Sequence, residues 1–140
     1  MDGRRETVDG RRWTGDGGRE MGKKINQDMT DKQILIQVAL DHQNKPSEIR
    51  WSAEDDPQGE QWRSSKAMLL SLFDRENLDT LKIDLWTSDM QVMEMDRFFF
   101  QTLRSLADTY FKATQNAQLA TDFQRFVQYF GEKTEIIPKK

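Results

Sequence analysis

The hydrophobic period of this chain changes at Trp86, and that change limits its fold more than any other feature. Before it, apolar residues recur at every second position, the spacing of a strand with one buried face. After it they recur every three or four positions, the spacing of an amphipathic helix. A parallel sheet needs its helices interleaved with its strands, so strands first and helices afterwards point to an α+β chain with an antiparallel sheet.

The first strand sets Ile34, Ile36, Val38 and Leu40 on one face and Gln33, Leu35, Gln37, Ala39 and Asp41 on the other. Turn-forming residues fill 42–47, and Ile49 and Trp51 then alternate with Glu48 and Arg50, which predicts an antiparallel hairpin. Residues 52–65 are polar, contain Asp55-Asp56-Pro57 and Gly59, and read as a long surface loop that carries Trp62. A second hairpin joins residues 66–73 to 80–86 through Arg75-Glu76-Asn77-Leu78. If Asp74 faces Asp79, Leu72 meets Leu81, Leu70 meets Ile83 and Met68 meets Leu85, so one register puts all six apolar side chains on one face. The opposite face then carries Ala67, Leu69, Ser71 and Phe73 beside Thr80, Lys82, Asp84 and Trp86.

Beyond Trp86, Ser88 with Gln91 fits a capping box, and a helix is predicted from about Gln91 to Lys112. Its main stripe is Met95, Phe99, Leu103, Leu106 and Tyr110, with Phe100, Ala107 and Phe111 as a shoulder. Thr114-Gln115-Asn116 ends it and caps a second helix, where Leu119, Phe123, Phe126, Val127 and Phe130 recur up to Gly131. The expected architecture is α+β: a four-stranded antiparallel meander made of two hairpins, followed by two helices packed on one face. The folded domain is expected over residues 32–135, with 136–140 as a frayed tail.

Residues 1–24 differ in composition. They hold six of the eight glycines and count seven basic against five acidic residues, with little that is apolar beyond Val8 and Trp13, so they are expected to be a disordered Gly/Arg-rich extension. Met21 before Gly22-Lys23-Lys24 reads as an alternative start. An arm of this kind can contact RNA phosphates and stack a base on Trp13, yet its acids nearly cancel its field. The remainder is acidic with scattered Lys and Arg, so nucleic acid is not an expected partner.

With 140 residues the chain can bury a core without staples, and with no cysteine it has no disulfide, thiolate metal site or cysteine nucleophile. No apolar run approaches the roughly 18 residues that span a bilayer, and no secretion signal is evident, so a cytoplasmic protein without membrane insertion is expected. His42 is the single histidine and lies in a turn. Asp84, Asp89, Glu94 and Asp96 gather around the strand-to-helix junction, where acids also suit the positive end of a helix. Ser64-Ser65-Lys66 has no flanking glycines, and no phosphate-loop or dinucleotide motif occurs. No catalytic, cofactor-binding or metal-binding residues are therefore assigned, and the chain is not expected to be an enzyme.

What remains is surplus apolar surface. Phe98-Phe99-Phe100 spans roughly 200° of a helix, so one stripe cannot take all three rings and Phe98 needs another partner. On the outer sheet face Leu69, Phe73 and Trp86 are expected to cluster, with Trp62 folding over from its loop. Such a patch marks a protein-docking surface, unless the loop 52–65 simply covers the face. A small-molecule site in a cavity between sheet and helices is the alternative.

The stretches Lys66-Ala67-Met68-Leu69-Leu70-Ser71-Leu72-Phe73-Asp74, Leu81-Lys82-Ile83-Asp84-Leu85-Trp86-Thr87-Ser88-Asp89-Met90, Phe99-Phe100-Gln101-Thr102-Leu103 and Ala107-Asp108-Thr109 resemble the gliding-motility protein GldC family of Bacteroidetes. The resemblance runs from about Ile34 to Glu135 and includes Ile49-x-Trp51 and Ala113-Thr114. Phe73 and Phe98 depart from the family pattern, and residues 1–20 have no counterpart in it. The resemblance implies a cytoplasmic, non-enzymatic accessory of the gliding apparatus that works with membrane-associated gliding components. It brings no catalytic residues or cofactor. It leaves Trp86, Asp84, Asp89 and Gln101 as matched residues that the core does not explain.

Overall fold

The computed structural model describes residues 30–139. The expectation of a disordered segment over residues 1–24 lies outside them. The chain forms two compact units, one of strands up to Met90 and one of helices from Gln91 onward.

The strand unit holds β1 (Ile34–Leu40), β2 (Pro46–Ala53), β3 (Arg63–Ser65), β4 (Ala67–Phe73) and β5 (Thr80–Trp86). β1 and β2 form the expected hairpin, with Ile36 opposite Trp51 and Val38 opposite Ile49. Its turn is closed by the Asp41 carboxylate, which accepts from the Gln43 and Lys45 amides at 2.8 and 3.0 Å. Those two bonds hold its pKa below the usual carboxylate range. His42 is exposed in that turn.

Two corrections concern the next segment. Ser52 and Ala53 are buried and continue β2, and Arg63–Ser65, expected to be loop, is a third strand antiparallel to β2. The cause is Arg63, whose guanidinium lies 5.7 Å from the centre of the Trp51 ring and grips Asp56 through Nε (2.7 Å) and Nη2 (3.0 Å). The four-stranded meander is likewise replaced, among the described residues, by five strands in two sheets, β1-β2-β3 and β4-β5. Pairing with β2 stops at Ser65 and pairing with β5 starts at Ala67, so a bend at Lys66 divides what would have been one strand. The β4–β5 register is the expected one, with Leu72 opposite Leu81, Leu70 opposite Ile83 and Met68 opposite Leu85, and the Asp74 amide donates to Asp79 O at 2.8 Å.

The helical unit pairs α1 (Val92–Thr114) with α2 (Ala117–Lys133). The capping box lies three residues later than expected: the Gln91 amide donates to the Glu94 carboxylate at 2.9 Å, so Gln91 and not Ser88 is the cap. Asn116 caps α2 by accepting from the Leu119 amide. Phe100, Ala107 and Val127 are buried together, with Leu103, Phe123, Phe130, Ile136 and Ile137 packed against them. Phe100 and Ala107 of the shoulder, with Leu103 of the expected main stripe, therefore make the seam, whereas Phe99 and Leu106 of the stripe and Phe111 of the shoulder stay exposed. Gly131 does not end α2, which continues to Lys133. Ile136 and Ile137 do not fray: their amides donate to Gly131 O at 2.9 and 3.2 Å.

Candidate functional site

The outer face of the β4–β5 ladder is built from four rungs: Ala67 with Trp86, Leu69 with Asp84, Ser71 with Lys82, and Phe73 with Thr80. Trp86 is held at the end of this ladder by its neighbour. Thr87 is 4% exposed, and its amide (2.8 Å) and hydroxyl (3.2 Å) both reach the Lys66 carbonyl at the bend. That hydroxyl also lies 2.5 Å from an Asp89 carboxylate oxygen, and this hydrogen bond keeps the Asp89 pKa low. Thr87 and Asp89 thus fasten β5 to the bend of β4, a use of Asp89 other than the helix-end role its place in the sequence suggests.

The backbone of Trp86 is fixed while its indole stays outside, 54% exposed. It borders a shallow groove of about 380 Å³ with Lys45, Pro46, Asp84, Leu85 and Ser88. Leu69 is half-buried one diagonal step from Trp86, so these two share a patch. Phe73, 67% exposed, does not join it. It sits six residue positions away, roughly 20 Å along the strand, and Ser71 and the Lys82–Asp84 ion pair (3.1 Å) lie between. Trp62 is exposed immediately before β3, in the strand unit. Phe98 belongs to the helical unit, half-buried and edge-on to Phe99 with centroids 6.2 Å apart.

Three of the four acids of the strand-to-helix junction have separate employment. Asp84 pairs with Lys82, Asp89 with Thr87, and Glu94 caps α1. Among the described residues no group of three His, Cys, Asp or Glu side chains is placed to hold a metal. A larger groove of about 680 Å³ lies within the helical unit, floored by Phe100, Ala107, Val127 and Ile137. Arg104 stacks over Phe100 at 5.2 Å, and the polar side chains along the groove are all exposed. Among the described residues no helix is long and apolar enough to cross a membrane.

No curated protein and no solved structure matches the chain. The family of gliding motility-associated proteins described as GldC-like matches residues 46–136, from the start of β2 to the first isoleucine packed behind α2. That span is well over half of the 140 residues and carries both sheets and both helices except β1, so the chain belongs to the GldC-like family of gliding motility-associated proteins.

Proposed function

We propose that this protein is a non-enzymatic accessory of the gliding apparatus that acts in the cytoplasm as a protein-interaction module. Its partner is a protein, drawn from the membrane-associated gliding components, and the docking surface is the outer face of β4–β5 around Trp86 and Leu69. The supporting observation is the pairing of a rigid backbone with an outward indole: Thr87 anchors the strand end while Trp86 stays 54% exposed. A large aromatic group pre-set in this way loses little conformational freedom on binding, which is why tryptophan anchors so many interfaces. Phe73 stands apart from that anchor along the ladder, and Phe73, Trp62 and Phe98 serve as secondary contacts. A small-molecule site between sheet and helices is the second reading; the larger groove is lined by the helical unit alone, and every polar side chain along it is exposed.

Trp86→Thr tests the proposal, since threonine keeps the strand preference and removes the ring. Capture of gliding components by the variant is expected to fall at least tenfold, as for an interface anchor. Its unfolding free energy is expected to stay within about 0.5 kcal/mol of wild type, as for a surface change. Undiminished capture, or a variant that no longer folds, overturns the assignment of Trp86 as the docking centre.

A further inference from the structure

We infer that the free edge of β5 pairs antiparallel with the same edge of a second copy of this chain, about a two-fold axis at Ile83. Among the described residues β5 is laddered to β4 alone, so the backbone groups on the other edge of Thr80–Trp86 join no ladder, and the start of β2 approaches only the Asp84–Trp86 end. Open edges are usually blunted by proline, a bulge, an inward-pointing charge or charged side chains, lysine above all. β5 has no proline and a regular register, and its one lysine, Lys82, stands on the outer face beside an opposite charge, Asp84.

Those charges make the edge complementary to itself. Antiparallel pairing centred on Ile83 sets Leu81 against the second copy's Leu85, Ile83 against its own counterpart, and Lys82 against the second copy's Asp84. By symmetry the Lys–Asp rung occurs twice, and opposite charges on facing strands attract. Shifting the register by two residues one way sets Lys82 against Lys82, and the other way sets Asp84 against Asp84. A shift by one would mismatch the two faces. A single register is therefore selected. The other edge, β1, has no charge anywhere in Ile34–Leu40 and nothing comparable to choose a register.

The outer face supplies an independent argument. In this pairing Trp86 lies beside the second copy's Thr80, whose own ladder partner is Phe73. Phe73 and Trp86, separated by roughly 20 Å within one chain, come to about two strand spacings, ~10 Å, across the axis. The exposed aromatics thus gather on one continuous face, twice by symmetry, and a two-stranded ladder becomes a four-stranded sheet, the size at which antiparallel sheets are stable. The inference stands apart from the proposed docking role. A monomer that still captures gliding components defeats only the dimer, and a dimer that captures nothing defeats only the docking role.

Sedimentation equilibrium of the full chain from ~1 µM to ~1 mM is expected to show mass rising from 16.5 kDa toward twice that value. Lys82→Glu sets like charges on both rungs and is expected to weaken association about tenfold. The exchanged variant Lys82→Glu with Asp84→Lys restores the complementary rungs and is expected to recover it. A chain without cysteine also permits a covalent test. Ile83→Cys brings two thiols together on the axis, where directly opposed Cα atoms lie about 4.5–5.5 Å apart, within disulfide range. It is expected to oxidise to a linked dimer far faster than Gln37→Cys on the β1 edge. A monomer over the whole concentration range, an exchanged variant no better than Lys82→Glu, or equal cross-linking at both positions overturns the inference.

Discussion

Leu78 adopts a left-handed backbone, φ 61°, in the turn between β4 and β5, with its side chain exposed. A non-glycine residue there costs about 1–2 kcal/mol, and Leu78 recovers little of it by burial. Leu78→Gly is therefore expected to stabilise the protein by about 0.5–1 kcal/mol, after glycine's own entropy is allowed for, and thermal melting checks it. The turn survives the present strain because Asp74 accepts from the Glu76 and Asn77 amides at 3.0 and 2.9 Å. Asp56 belongs to the same scale. Its side chain is nearly enclosed and Arg63 holds its pKa below the ordinary range, chiefly by hydrogen bonding. A depressed carboxylate pKa adds stability that is complete above the unfolded value near 3.9 and is lost as pH falls through the folded value. Asp56→Asn is expected to remove that pH dependence and to free the Arg63 end of β3. Amide exchange at Ser64 should then accelerate while exchange in β4 and β5 holds steady, and exchange that changes everywhere or nowhere would contradict this account.

At the scale of elements, α2 owes its seat to one missing methyl group. A Cβ built on Gly131 would come 2.6 Å from the Phe100 ring and 2.9 Å from Ile137, so the glycine is there to let α1, α2 and the following isoleucines close together. Gly131→Ala is expected to cost about 1–3 kcal/mol despite alanine's better helix propensity, and a denaturant titration that finds it neutral would show that the seam gives way freely. Sequence reasoning placed Gly131 at the helix end because glycine favours that position, and only packing reveals its other use. The same limit explains the misread face of α1. Its main stripe and its shoulder are both apolar, and nothing within one helix says which of them meets α2. The β4–β5 register was legible because both arms alternate, which puts Met68, Leu70, Leu72, Leu81, Ile83 and Leu85 on one side, and because the short turn sets Asp74 against Asp79. β3 was illegible because Arg63-Ser64-Ser65 carries no period, and its reason for being a strand lies in Trp51 and Asp56, distant in sequence. The patch around Trp86 was half legible: alternation placed Leu69, Phe73 and Trp86 on one face, but distance along that face separates Phe73 from the other two.

For the whole molecule, the two compact units carry different reporters and different electrostatics, so one titration can read both. Among the described residues every tryptophan (Trp51, Trp62 and Trp86) lies in the strand unit, while most of the helical backbone lies beyond Gln91. With Trp13 replaced by phenylalanine, tryptophan fluorescence follows the strands, and ellipticity at the helical minimum follows α1 and α2. The carboxylates held below their ordinary range, Asp41, Asp56 and Asp89, also belong to the strand unit, where they close the β1–β2 turn, clamp β3 and fasten the end of β5. Each contributes stability above the unfolded carboxylate value near 3.9 and withdraws it as pH falls through its depressed folded value. The helical unit is held mainly by apolar packing of Phe100, Ala107 and Val127, which does not titrate. On acidification the fluorescence transition is therefore expected to precede loss of helical ellipticity. Replacing Asp41, Asp56 and Asp89 together by asparagine should weaken the strand unit at neutral pH and flatten its response to acid. Helix loss before the tryptophan transition would mean that acid acts first on the helical hairpin, and the three aspartates would then not be what sets the acid limit of this protein.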